Sequence, residues 1–145
     1  MIKTFRGILA TDTQTKIRLS TKKGKLGYRI IKFQIVPKLI ASQPGEHVMK
    51  VFKVQQSSNT ETIDFSDGNL LAAAVFLHEA NTYYPHDFYS IFDKEIFNQD
   101  IYVTHKDSQN NDCNYYIELE TEPLTDNAAA VSTLRDIRLN PQVGA

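Results

Sequence analysis

Apolar and polar positions alternate through most of this chain. Lys16-Ile17-Arg18-Leu19 sets aliphatic residues against charged ones, the period of two that marks a half-buried strand. The stretch Arg29-Ile30-Ile31-Lys32-Phe33-Gln34-Ile35-Val36 continues the pattern in β-branched and aromatic residue types. Placing Ile31, Phe33 and Ile35 inside leaves Lys32 and Gln34 in solvent. Residues 113–120 repeat the logic, with Tyr115, Ile117 and Leu119 inward and Tyr116, Glu118 and Glu120 outward. Shorter strands are predicted over residues 4–9, 48–54, 62–65, 71–77, 88–92 and 99–104.

Between these runs lie turn formers: Lys23-Gly24-Lys25, Gln43-Pro44-Gly45 and Ser66-Asp67-Gly68-Asn69. Residues 55–60 and 106–112 are polar and read as loops. With no helical periods between the strands, the pattern argues against βαβ units. It predicts an all-β, antiparallel β-sandwich, for which a jelly-roll winding is one form, with at most one or two short helices. Two segments stay ambiguous. Residues 69–80 suit a buried strand whose alanines permit close sheet contact, in preference to a helix capped by Ser66 or Asp67. Residues 125–139 suit equally a helix capped by Asp126, presenting Ala128, Val131 and Leu134, or a final strand through Thr133, Arg135, Ile137 and Leu139. Residues 1–139 are expected to form a single domain, with 140–145 as a loose tail.

Charge changes the picture more than composition does. Residues 1–60 hold twelve Lys/Arg and two Asp/Glu, whereas residues 61–145 hold four Lys/Arg and fifteen Asp/Glu. The net charge of −1 hides this split. Opposite halves can attract within one molecule, between copies, or toward a polyanion. No run is long enough to span a bilayer and no signal peptide is apparent. The lone Cys113 rules out an internal disulfide and a Cys-rich metal site, and in its strand context it reads as a small packing residue.

Little points to a reaction. His47, His78, His86 and His105 show no ligand spacing among themselves. His86-Asp87 reads as a loop, and His105 and Asp107 can share a strand face. Asp64, Asp67 and Asn69 lack the spacing of a calcium loop. Glu118 and Glu120 stand on one strand face, yet nothing locates a cleft around them. No enzyme, cofactor or metal is therefore expected. The candidate surface residues are instead Lys16, Arg18, Lys22, Lys23, Lys25, Arg29 and Lys32. They could pair with acidic strands, dock a neighbouring copy, or line a phosphate-facing strip with Tyr28 as a stacking ring. Tyr83, Tyr84 and Tyr89 belong to an aromatic-rich stretch that could anchor an interface, and Glu118 and Glu120 supply the acidic counterpart.

Four strings carry a family likeness: residues 24–35, 65–72, 91–104 and 114–120. In matching order they resemble small structural proteins encoded by marine bacteriophages. The resemblance implies a virion protein, a capsid or capsid-decorating subunit, made in the host cytoplasm and acting through contacts with itself and with other virion proteins. It implies no catalytic or binding residues. The run Asn127-Ala128-Ala129-Ala130 departs from the β-branched alternation usual at that end of the family. A receptor- or glycan-binding fibre module using Tyr83, Tyr84, Tyr89 and Tyr102 is the alternative, followed by a single-stranded nucleic-acid binder. No membrane partner is expected.

Overall fold

The alternation resolves into antiparallel strands in two sheets. A computed structural model describes residues 1–21, 24–39, 45–78 and 88–139. The strands are β1 (Ile2–Leu9), β2 (Thr13–Ile17), β3 (Leu26–Pro37), β4 (Gly45–Phe52), β5 (Leu70–His78), β6 (Phe88–Phe92), β7 (Ile101–Lys106) and β8 (Cys113–Pro123). A helix, α1 (Asp126–Leu139), follows. One sheet has the order β1-β8-β3 and the other β2-β7-β4-β5-β6. The all-β sandwich expected from the pattern is thus the observed fold.

The strand order contains a winding rule. Antiparallel ladders join β1 to β8, β2 to β7 and β4 to β5. The fourth pair of that series, β3 with β6, makes contact through Ser90, whose hydroxyl donates to the Phe33 carbonyl. Pairs 1·8, 2·7 and 4·5 nest like the strands of one long folded hairpin spread over two facing sheets. Here β6 keeps its ladder with β5 and meets β3 without a ladder. Farther along the β3 edge, Tyr28 and Phe97 exchange backbone hydrogen bonds of 2.8 and 2.9 Å and stack their rings.

Both sheets contribute to one core. Tyr28, Ile30, Phe33, Tyr115, Ile117 and Leu119 meet Met49, Val51, Leu71, Ala72, Ala74, Ile101 and Val103. The inward set of β3 differs from strict alternation. A β-bulge between Ile30 and Lys32 shifts the register against β8, so Ile30 and Phe33 are buried while Ile31 is the extra, half-buried residue. Residues 69–80 were open to helix or strand; Leu70–His78 is a strand, and Ala72, Ala73 and Ala74 are buried in it. Their small side chains admit the second sheet closely.

Besides shifts of one to three residues at several strand ends, such as 48–54 to Gly45–Phe52 and 99–104 to Ile101–Lys106, three expectations change. Residues 62–65 form no strand, because the Asp64 carboxylate accepts from both the N–H and the hydroxyl of Ser66 and closes a turn. Ile17 and Leu19 are buried and Lys16 and Arg18 exposed, as the alternation requires, but β2 ends at Ile17. Beyond it the N–H groups of Leu19 and Ser20 bond to Asp100 Oδ1 at 2.7 and 2.8 Å. The last element is the helix, and its N-cap is Thr125, not Asp126. Thr125 Oγ1 accepts from the Ala128 N–H at 3.1 Å, and its carbonyl accepts from Ala129. The helix seats Ala129, Ser132 and Thr133 on the body and leaves Ala128, Val131 and Leu134 exposed.

Candidate functional site

Among the described residues, the expected basic positions divide between the two sheets. Lys16 and Arg18 lie at or just beyond β2 in the five-stranded sheet, whereas Arg29 and Lys32 belong to β3 in the other. Lys16 pairs with Asp100 at 3.3 Å. Arg29 pairs with Glu120 across the β3–β8 ladder, with a 2.5 Å contact, and the Glu120 hydrogen bond raises the guanidinium pKa. Lys32 stands over the Tyr116 ring at 5.7 Å, and the Tyr116 hydroxyl donates to Glu118 at 2.8 Å. Buried Lys53 meets Glu95 at 2.8 Å. Much of the split charge is therefore matched inside one molecule, the pairing alternative raised by the sequence. Lys25 is exposed next to Gly24. Lys22, Lys23, Tyr83, Tyr84, His86 and Asp87 lie outside the described residues, and Tyr89 is exposed on β6.

Two features stand out instead. The first is the outer face of β1-β8-β3. Strand pairing sets rows Ile2–Glu120–Arg29, Thr4–Glu118–Lys32, Arg6–Tyr116–Gln34 and Ile8–Asn114–Val36 across it. Ion-forming residues dominate the first two rows, and the last two set one cation, Arg6, among apolar, aromatic and amide side chains. A shallow hollow of about 510 Å³ lies over these last two rows. A second, of about 440 Å³, continues over Val75, Phe76, Tyr89 and Ser90, and the two share Gln34 and Val36. A surface band thus runs from β1 across β8 and β3 to β6 and β5. Ile8, Val36 and Tyr89 are 46%, 51% and 59% exposed along it.

The second feature is a buried polar cluster at one end of the sandwich. His47 and Met49 on β4, and His105 and Val103 on β7, share the inward parity of their strands. Met49 faces His105 across the ladder, which places His47 diagonally beside it. The imidazoles stack with centroids 5.2 Å apart, and His47 Nδ1 lies 3.0 Å from His105 Nε2. Cys113 enters from β8 in the facing sheet, and one donor atom from each of the three residues falls within 4.8 Å of the others. Asp107, just past β7, adds a carboxylate oxygen 3.9 Å from His47 Nδ1. All four residues are at most 2% exposed.

The surroundings hold the cluster rigidly. Asp107 Oδ1 accepts from the Glu46 N–H at 2.8 Å and Oδ2 from the Asn111 N–H at 2.7 Å. Thr11 brackets the Asp107 backbone, with its hydroxyl donating to the carbonyl and accepting from the N–H. A Cβ on Gly45 would fall 3.1 Å from His47 Nε2 and 3.3 Å from Asp107 Oδ1, so the backbone approaches as closely as a glycine permits. His105 Nδ1 makes no regular hydrogen bond among the described residues, although the carbonyls of Ala10 and Leu9 stand near the ring. Sequence spacing does not reveal this set, because His47 and His105 are 58 residues apart and meet only through strand pairing. The available signal is parity: His47 and His105 both fall on the inward positions of apolar strands.

Burial dominates the cluster's chemistry. It lowers the proton affinity of His47 and His105. Asp107 opposes the shift at His47, while the carbonyls of Ala10 and Leu9, then Asp107 and Asp112, oppose it at His105. Burial, with Asp107, pushes the Cys113 thiol up to about 12, so the residue is no activated nucleophile. Because the folded imidazoles bind protons more weakly than unfolded ones, their contribution to stability is full above the ordinary value near 6.5. It falls as pH drops toward the depressed folded values, by at most about 1.4 kcal/mol per pH unit for each imidazole. Urea unfolding from about pH 7.5 to about pH 5 should show this acid-side loss, with a shallower slope in His47→Asn. A profile as steep in His47→Asn as in the parent would count against it. In comparisons with known proteins, no family model and no curated protein matches this chain.

Proposed function

We propose that this chain is a virion structural protein, a capsid or capsid-decorating subunit that works by surface contact with copies of itself and with other particle proteins. The observation that carries the proposal is the continuous band over β1, β8, β3, β6 and β5, with Ile8, Val36 and Tyr89 exposed beside Arg6, Gln34, Asn114 and Tyr116. Apolar anchors set among groups able to hydrogen bond are the composition of protein interfaces. We read the nested pairs 1·8, 2·7 and 4·5 as a jelly-roll-like winding, which supports the proposal because that architecture is frequent in capsids, although it also serves lectins and cupins. The strings that resemble phage proteins map onto β3, the turn leading into β5, the segment from β6 to β7, and β8. They shape the band without supplying a reacting group.

Because the strongest charge pairs are internal, the contact is carried by the apolar band and should persist at moderate salt, where exposed ion pairs are screened beyond ~8–10 Å. Sedimentation velocity across concentration and ionic strength tests this. Wild type should self-associate, and Val36→Glu should remain monomeric with an unchanged β spectrum. A wild-type chain that is monomeric at every concentration and salt, and absent from purified particles, would refute the assignment.

A further inference from the structure

The structure assigns a second role to the buried cluster: we propose that His47 Nδ1, His105 Nε2 and Cys113 Sγ, with the Asp107 carboxylate, form a structural site for a zinc ion. Two imidazoles, a thiolate and a carboxylate are a donor set suited to four-coordinate Zn²⁺. Metal–nitrogen bonds of about 2.0–2.1 Å and metal–sulfur bonds of about 2.3 Å place tetrahedral donors about 3.3–3.6 Å apart. Here the two nitrogens are 3.0 Å apart, the carboxylate oxygen is 3.9 Å from His47 Nδ1, and the three N/S donors lie within 4.8 Å of one another. The His47–His105 and His47–Asp107 distances thus bracket the required spacing, and Cys113 Sγ stands within side-chain reach of both imidazoles.

The outer side of the His105 ring suits the assignment. Nδ1 is buried and makes no regular hydrogen bond among the described residues, and the carbonyls of Ala10 and Leu9 stand near enough to raise the ring's proton affinity. Ligation through Nε2 fixes the other tautomer position, so Nδ1 carries the proton beside the carbonyls of Ala10 and Leu9. That outer contact is what orients a metal-bound imidazole. The protons balance simply. Each neutral imidazole keeps one, and Cys113 gives its thiol proton to solvent as sulfur binds the metal. Burial already favours neutral imidazoles, and the hydrogen bonds from Glu46 and Asn111 hold the carboxylate in place. The ion would tie β4, β7 and the loop after β7 to β8 in the opposite sheet, closing this end of the sandwich.

Because the site is enclosed, metal must enter as the chain folds. The test is to refold the full chain with Zn²⁺, and separately with Co²⁺, then remove loose metal by gel filtration. Elemental analysis should find one zinc per chain, and the cobalt form should show a thiolate-to-metal charge-transfer band. Cys113→Ala fills the position with another small apolar group, and it should lose that band and bind more weakly by over the roughly 10–100-fold that a lost outer partner costs. No cobalt charge-transfer band in the folded wild type would overturn the proposal, and so would equal metal retention by Cys113→Ala. The cobalt spectrum of wild type decides the matter even if the variant fails to fold, and it does so independently of self-association.

Discussion

Asp107→Ala should lower folding stability by about 3–4 kcal/mol, measured by urea unfolding of metal-free protein near neutral pH. The carboxylate is buried and accepts two backbone N–H groups, one from the start of β4 and one from the loop before β8. Alanine offers no acceptor to either, and each partly buried donor loses about 1–2 kcal/mol. The substitution also removes the negative charge that supports His47 against burial. Asp107→Asn separates these contributions. Its single amide oxygen can satisfy one N–H, but its NH₂ group then faces the other, so about half the loss should remain. Removing the charge should also lower the His47 proton affinity further, visible by NMR titration of the imidazole. If Asp107→Asn and Asp107→Ala were both as stable as wild type, the carboxylate would have no part in joining these segments.

The surviving sequence expectations are those that depend on neighbours along the chain. Inward Tyr115, Ile117 and Leu119 and outward Tyr116, Glu118 and Glu120 follow from period-two geometry alone, and β8 obeys it from Cys113 to Glu120. Ile31 escapes because a bulge is a property of two paired strands, and the run Arg29–Val36 carries no local mark of one extra residue against β8. The charge halves are visible in the sequence, but their fate depends on register. Once Arg29 stands opposite Glu120, a long-range attraction becomes an internal pair. Thr125 and Asp126 are both good caps, and only backbone geometry selects Thr125.

The same principle explains the candidate sites. His47 and His105 look unrelated when only sequence spacings are searched, and Cys113 looks like packing. Inward parity identifies each as buried, but not that β4 lies beside β7 with Met49 opposite His105. The surface band is likewise assembled from non-consecutive strands: Ile8 and Val36 share a row only because β8 separates β1 from β3. Of the expected surface residues, Glu118, Glu120, Arg29 and Lys32 fall on that sheet, in its charged rows and not in the apolar ones. The interface proposed here therefore sits beside the charged residues that first drew attention.

Asn98→Ala should release α1 from the sandwich and cost about 3 kcal/mol. Asn98 is fully buried between β6 and β7, and its side-chain amide joins two other segments, the turn at Gly24 and α1. Nδ2 donates to the Gly24 carbonyl at 2.9 Å, to Thr133 Oγ1 at 2.7 Å and, at a longer 3.4 Å, to the Ala129 carbonyl. Oδ1 accepts from the Ser132 hydroxyl at 3.2 Å. Gly24 completes the fit: its φ of 63° lies in the left-handed region, and a Cβ there would fall 2.9 Å from Thr133 Oγ1 and 3.0 Å from Asn98 Nδ2. Over residues 127–134 the helix exposes Val131 and Leu134 and docks through Ala129, Ser132 and Thr133. Among these side chains hydrophobic burial contributes little, and the amide supplies the specificity of the seat. Asn98→Asp keeps the shape but turns oxygen toward the Gly24 and Ala129 carbonyls, so it should destabilise at least as much as alanine. Hydrogen exchange reads the difference by location: protection should fall across α1 while the β8 core, where Ile117 and Leu119 are fully buried, stays protected. Unchanged protection in the helix of either variant would show that α1 is held by something other than this amide.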